Sequence, residues 1–200
     1  MKNILSLALI CVFYNTLFSQ NLVVNGGFET IYTGVPNPKG YSRPTATSPY
    51  AAFSPATSWG SWINNESDNS CMIMEVVNLK ASCAVPYPPD YSQAGGNAMH
   101  IISTIGHSGI AQNPLPKNNG VRVTCWVYVV RGAMTIGVIN SGNDKFQATV
   151  ASQTTCKWEK LTVICKDPID NVTIYSKWSN NQAVTDGAEF YIDNVMVEKL

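Results

Sequence analysis

VRVTCWVYVV, residues 121–130, alternates strictly: Val123, Cys125, Val127 and Val129 take one face of an extended chain, and Thr124, Trp126, Tyr128 and Val130 take the other. A period of two in a run rich in β-branched and aromatic residues predicts a strand with its first face in a core. Working outward, AMTIGVIN (133–140), WEKLTVIC (158–165), NVTIYSKW (171–178) and EFYIDNVMVEKL (189–200) have the same character. Turn chemistry such as NSGND (140–144) and TDG (185–187) separates them. Short strands at this spacing with almost no helical periodicity predict an all-β, two-sheet β-sandwich.

The N-terminus sets the expected compartment. Met1-Lys2 carries one positive charge, Ile4 to Phe13 is an apolar run too short to span a bilayer, and polarity returns from Asn15 to Ser19. This layout predicts a signal peptide over residues 1–20, one domain over 21–200, and a secreted product, extracellular or at the cell surface. Cys11 does not read as a lipidation site, because Ile10 before it is large and the apolar run continues past it. No second apolar segment suggests a membrane span.

The chain has 13 Lys+Arg against 13 Asp+Glu and only 13% charged residues, so it offers no basic face for nucleic acid. The predicted mature chain keeps Cys71, Cys83, Cys125, Cys156 and Cys165, an odd count that implies a free thiol or a bridge to a partner. Cys71 and Cys83 are the favoured disulfide. If residues 156–165 form one straight strand, its ends lie roughly 30 Å apart, whereas a disulfide needs Cα atoms within about 7 Å, so Cys156 and Cys165 do not pair. Between residues 31 and 58, Pro36, Pro38, Pro44, Pro49 and Pro55 rule out a central strand or a helix and predict a long ordered loop.

The two ends carry a resemblance. NLVVNGGFE (21–29) and FYIDNVMVEKL (190–200) resemble the opening and closing signatures of galactose-binding-like β-jelly-roll modules, in particular carbohydrate-binding modules of the family 4, 9 and 22 type. GNAMHII (96–102), GIAQNPLPKNNGVRVTCWVYV (109–129) and KWEKLTVIC (157–165) are similar to the strands between them, so the resemblance spans the chain beyond the leader. It implies a jelly roll with the first and last strands side by side and a structural calcium near their junction, with Glu29 and Asp193 as side-chain ligands. Asn194 stands where such modules usually place a second acidic residue, which removes a charge. Calcium takes six to eight oxygens, and a Gly-rich corner lets backbone carbonyls point inward. The competing reading of Glu29 and Asp193 is simple hydrogen bonding at a turn.

Saccharides are held by aromatic faces and by side chains that bond hydroxyl groups. The alternation sends Trp126 and Tyr128 away from the core on a strand that floors the concave face in the family, and Gln112 and Arg122 flank it. Trp59 and Trp62 in ATSWGSWINN, Tyr87 and Tyr91 in PYPPDY, and Trp178 are further candidates to wall a cleft, although a jelly roll also buries tryptophans. The expected ligand is a neutral poly- or oligosaccharide.

Enzyme chemistries lack their parts. GHSGI (106–110) has Ile110 where a nucleophile elbow needs glycine. His100 and His107 lack metal-type spacing, and His100 reads as a surface or satisfied imidazole. Sequence cannot place Glu66, Asp68, Glu75 or Asp90 across a cleft from one another, as glycoside hydrolysis requires. The expectation is a non-catalytic protein. The alternatives are a secreted or surface adhesin or structural subunit that meets a protein partner through its unpaired cysteine or an exposed strand edge, and a jelly-roll enzyme acting on polysaccharide.

Overall fold

The apolar runs after residue 120 all become strands in the computed structural model, which describes residues 20–31, 52–54, 56–63, 72–82, 85–89, 96–103, 108–142, 145–176 and 188–200. The elements are β1 (Ala52–Ser54), β2 (Gly60–Ile63), β3 (Met72–Asn78), α1 (Leu79–Ser82), β4 (Asn97–Ser103), β5 (Ser108–Gln112), β6 (Val121–Arg131), β7 (Met134–Asn140), β8 (Lys145–Ala151), β9 (Trp158–Cys165), β10 (Asn171–Ser176) and β11 (Ala188–Lys199). A six-stranded sheet in the order β1-β3-β4-β11-β6-β9 faces a five-stranded sheet in the order β2-β5-β10-β7-β8. The result is an all-β, two-sheet sandwich of jelly-roll type. Apart from the parallel edge pair β1–β3, the strands pair antiparallel.

The alternation in residues 121–130 decides the packing as expected. Val121, Val123, Cys125, Val127 and Val129 are fully buried, together with Ile136 and Val138 of β7, Ile174 of β10, and Phe190 and Ile192 of β11. At about 25 cal/mol per Å2 of apolar surface, burial of this layer is the main stabilising term of the sandwich. β8 escaped the sequence reading because it is an edge strand with no buried position along its length, so its burial imposes no alternation. The expectation that residues 31–58 hold no central strand agrees with β1, an edge strand of three residues; residues 32–51 lie outside the described set.

The opening NLVVN runs beside β11 without becoming a regular strand. Leu22 N–H donates to the Val197 carbonyl at 2.7 Å, but most of the stitching is done by a side chain. Asn21 Oδ1 accepts from Val197 N–H (2.8 Å) and Val23 N–H (3.2 Å), while Asn21 Nδ2 donates to the Val195 carbonyl (3.2 Å). Leu22 and Val23 are both buried and Val24 is 60% exposed, so the strict alternation expected of a strand is absent.

The glycine corner that follows meets a break in the β11 register between Asp193 and Met196, where Asn194 has φ +51°. Val195 N–H donates to the Gly26 carbonyl at 2.9 Å. The left-handed residues of the corner are Asn25 (φ +55°) and Phe28 (φ +57°) rather than the glycines. Gly26 is required instead for close approach, since a Cβ there would lie 2.0 Å from the Val195 carbonyl oxygen. Phe28 is thereby delivered into the core against Trp59, with ring centroids 5.5 Å apart.

Cys125, Cys156 and Cys165 are free thiols, so no bridge joins Cys156 to Cys165; Cys71 and Cys83 lie outside the described residues. Among the described residues no helix is long and apolar enough to cross a membrane.

The Gly26 contact carries a direct test. Gly26→Ala forces the corner out of the β11 irregularity and is expected to lower unfolding free energy by about 2 kcal/mol or more in urea titration, a strain-type loss. An unchanged midpoint would show that the approach is not tight.

Candidate functional site

Residues paired across neighbouring strands point to the same face of a sheet, so the register identifies what the outer face of the six-stranded sheet presents. One row runs Glu75 (β3), His100 (β4), Tyr191 (β11), Tyr128 (β6) and Trp158 (β9). The next holds Asp193, Trp126 and Lys160, followed by Met196, Thr124 and Thr162, then by Glu198, Arg122 and Ile164. The candidate site is this face.

The β3–β4–β11 part of the first row is closed. His100 is 8% exposed and stacks flat on Tyr191, ring centroids 4.3 Å apart and planes 5° from parallel. Its Nδ1 lies 3.3 Å from Glu75 Oε1 and its Nε2 lies 3.1 Å from Glu189 Oε1; Arg131 Nε is 3.7 Å from Glu189 Oε2. His100 is therefore a satisfied imidazole, one of the two ordinary readings of its sequence position, and Glu75 is occupied as its partner. Above this layer, Leu79 of α1 and Val85 form a second apolar cluster with Ala98 and Tyr191, against which Tyr128 and Trp158 pack. The Trp158 indole N–H donates to the Pro86 carbonyl.

The β6–β9 part is open. Trp126, Tyr128, Trp158 and Thr124 are half-buried, whereas Arg122, Lys160 and Thr162 are exposed. Two large apolar side chains, Ile164 (54%) and Met196 (37%), also face solvent here. Tyr128 and Trp158 meet edge-on at 5.6 Å, and the Lys160 ammonium sits 5.7 Å from the Trp126 ring centroid, within cation–π range. The face thus presents three aromatic side chains from adjacent strands, with hydroxyls and cations beside them.

The sequence-predicted site residues divide. Trp126, Tyr128 and Arg122 share this open face. Gln112 is buried, and both ends of its amide are taken up: Val24 N–H donates to Oε1 at 2.7 Å, and Nε2 donates to the Val24 carbonyl at 2.9 Å. Trp59 is 2% exposed, packs on Phe28 and donates its indole N–H to the Asn25 carbonyl, so its ring belongs to the core. Trp62 is placed on β2 of the opposite sheet, and Tyr91 and Trp178 lie outside the described residues, as do Glu66, Asp68 and Asp90. Tyr87 is 40% exposed. Trp158 was not singled out from the sequence, although the signal was present: in WEKLTVIC it shares the polar face of the strand with Lys160, Thr162 and Ile164, where an aromatic has no core to fill.

Beside the aromatic face, Asp193 is fully buried at the glycine corner. Its Oδ1 accepts from Asn194 N–H at 2.6 Å, and its Oδ2 has no hydrogen-bond partner. Burial pushes the Asp193 carboxyl up to about 7, opposed by the Asn194 N–H and reinforced by the charge of Glu29. Glu29 Oε1 accepts from Asn97 N–H at 3.4 Å. Gly27 lies against these oxygens: a Cβ there would be in ordinary contact, 3.9 Å from Asp193 Oδ1 and 3.8 Å from Asn194 Oδ1. An orphaned buried carboxylate oxygen with an amide oxygen nearby is a donor set of the kind that suits a hard cation. Among the described residues no three His, Cys, Asp or Glu side chains converge on a point, so backbone and amide oxygens would supply most of the ligands.

Two further titratable groups on β6 and β11 are buried. Burial, reinforced by the charges of Asp193 and Glu159, pushes the Cys125 thiol far up, and burial together with Glu189 and Glu75 raises the Tyr191 phenol. Neither shift favours a nucleophile or base at neutral pH.

No family model matches the chain, and no curated protein does. Among solved structures, it is similar to a family 61 carbohydrate-binding module in complex with β-1,4-galactotriose, at 15% identity and TM-score 0.53 over 91% of this chain and 100% of that one. It is also similar to the enzymatically active domain of tailspike protein 4 from bacteriophage CBA120, at 11% identity and TM-score 0.50, over 90% of this chain but 21% of that one. A family 11 carbohydrate-binding module from Clostridium thermocellum aligns at 14% identity and TM-score 0.44, over 74% of this chain and 92% of that one. At these identities the likeness shows the fold.

The Asp193 environment sets a pH dependence with a definite sign. With its carboxyl raised from 3.8 to about 7 in the folded protein, it contributes stability that is present below pH 4 and lost as pH rises through about 7. In chelator, the melting temperature of the native protein relative to Asp193→Asn is expected to fall between pH 4 and pH 8. Parallel pH profiles would place the proton elsewhere.

Proposed function

We propose that this protein is an exported, non-catalytic carbohydrate-recognition module whose binding surface is the open part of the six-stranded sheet's outer face. The observation that carries the reading is the grouping of half-buried Trp126, Tyr128 and Trp158 on β6 and β9 beside Thr124, Thr162 and Arg122. In this reading Trp126 is the principal stacking surface for the C–H face of a neutral sugar ring. Tyr128 and Trp158 extend it, and Arg122 and the threonine hydroxyls bond sugar hydroxyls. The fold shared with a galactotriose-bound module supports the ligand class without specifying the sugar. The engagement of His100, Glu75 and Cys125 in structural contacts supports a non-catalytic role.

We further assign a structural calcium to the glycine corner, held by Asp193 and Glu29 with help from Asn194 and backbone oxygens. Bound there, the ion would neutralise a buried carboxylate and tie the opening segment to β11. A second reading, attachment to a protein partner, draws on the exposed free thiol of Cys156.

Affinity electrophoresis against soluble galactan, xylan, mixed-linkage glucan and glucomannan is expected to show retardation by at least one of them. Trp126→Ala should weaken that binding by at least about tenfold, the scale of an aromatic hot spot, while costing only about 1 kcal/mol of stability. Uniform mobility of the folded protein across the panel would favour the protein-partner reading. For the metal, calcium is expected to raise the melting temperature of the native protein and leave Asp193→Asn unmoved; an equal shift in both would remove the assignment.

A further inference from the structure

The face proposed to bind saccharide is closed at its Tyr128–Trp158 end, and the closure is built into the chain. By register alone, the row Glu75, His100, Tyr191, Tyr128, Trp158 would make a platform crossing five strands. Leu79 and Val85 pack on Ala98 of β4, which is fully buried, and Tyr191 of β11, which is 6% exposed. In the neighbouring row Asp193, the β11 partner of Trp126, is also fully buried.

The wall is anchored at both of its described ends. Asn78 Nδ2 donates to Asn97 Oδ1 at 3.1 Å and Leu79 N–H donates to the Gly96 carbonyl at 2.7 Å where the covering segment leaves β3. At its far end the Pro86 carbonyl accepts the indole N–H of Trp158. Pro86 therefore stands at the Tyr128–Trp158 end of the open surface. A saccharide lying along β6 and β9 meets this stop after passing Trp126. One lying across the strands in the Trp126 row meets fully buried Asp193 of β11, whereas the rows nearer Arg122 reach exposed Met196. Along β6 and β9 the surface continues toward Arg122 and Ile164.

We propose that the Leu79 and Val85–Pro86 cover, latched by Trp158, is an end wall that makes the face recognise the terminus of a glycan chain rather than its interior. This rests on the saccharide-binding reading above. It assigns Trp158 two tasks: its ring face contributes to the platform, and its N–H fixes the stop.

The test is a titration of the protein against size-fractionated galactan, xylan, mixed-linkage glucan and glucomannan, reading binding sites per gram of each fraction by calorimetry. Terminus recognition is expected to give site numbers that fall in inverse proportion to chain length, with an unchanged affinity per site. Site numbers per gram independent of chain length would overturn the end wall and leave saccharide binding standing. Absence of binding to every fraction would remove the saccharide reading and this inference with it. Trp158→Phe keeps a ring on the sheet and loses the bond to Pro86; the inverse dependence of site number on chain length is expected to weaken in this variant, and an unaltered dependence would overturn the role given to the latch.

Discussion

The governing constraint in the molecule is the seating of the Gly26 backbone against the irregularity in β11. No side chain fits there, because the Val195 carbonyl oxygen occupies the place of a Cβ. From that contact the opening segment is held to both sheets by side-chain amides acting as lengths of backbone. Asn21 bonds β11 of the six-stranded sheet, and Gln112, on β5 of the five-stranded sheet, bonds Val24 at both its N–H and its carbonyl. Amide side chains carry a donor and an acceptor in fixed geometry, so they satisfy strand groups that the irregular path leaves without a ladder. The same corner turns Phe28 inward and brings Glu29 toward buried Asp193, so core packing and the proposed ion site share one backbone path.

The outer face of the six-stranded sheet does two kinds of work. Toward β3 and β4 it is a small second core of Leu79, Val85, Ala98 and Tyr191, with the polar group of His100, Glu75, Glu189 and Arg131 beside it. Toward β6 and β9 it presents aromatic rings to solvent. One cover accounts for both, since it must rest on Tyr191, Tyr128 and Trp158 to bury Leu79 and Val85. Clustered solvent-facing aromatic area is a cost unless it is used, and on this face it lies where the cover leaves the sheet free.

How much of this was legible depended on whether a residue's neighbours lie nearby in sequence. Alternation along residues 121–130 is a local property, and it identified β6, its buried face and the outward positions of Trp126 and Tyr128. Gln112 lies beside that strand in sequence but its partner, Val24, is 88 residues away, and nothing local shows that its amide is already occupied. Trp59 likewise looks like a loop aromatic until Phe28 and Asn25 arrive from the opening segment. The glycines of the corner were legible as necessary, but the reason is steric access at Gly26, with the unusual backbone angles falling on Asn25 and Phe28. Trp158 carried a readable signal as an aromatic on the polar face of an alternating strand; its bond to Pro86 depends on a contact spanning 72 residues.

The position of β11 has a consequence for the order in which the molecule can form. It is the last strand in the chain, yet it lies between β4 and β6 in the interior of the six-stranded sheet and also receives the opening segment through Leu22 and Val197. Until it is made, the larger sheet exists only as two separate pieces, β1-β3-β4 and β6-β9, each with an unpaired edge and an uncovered apolar face. A chain emerging from its N-terminus therefore cannot complete this sheet vectorially, and closure depends on contacts between its most distant parts, the topology associated with slow folding.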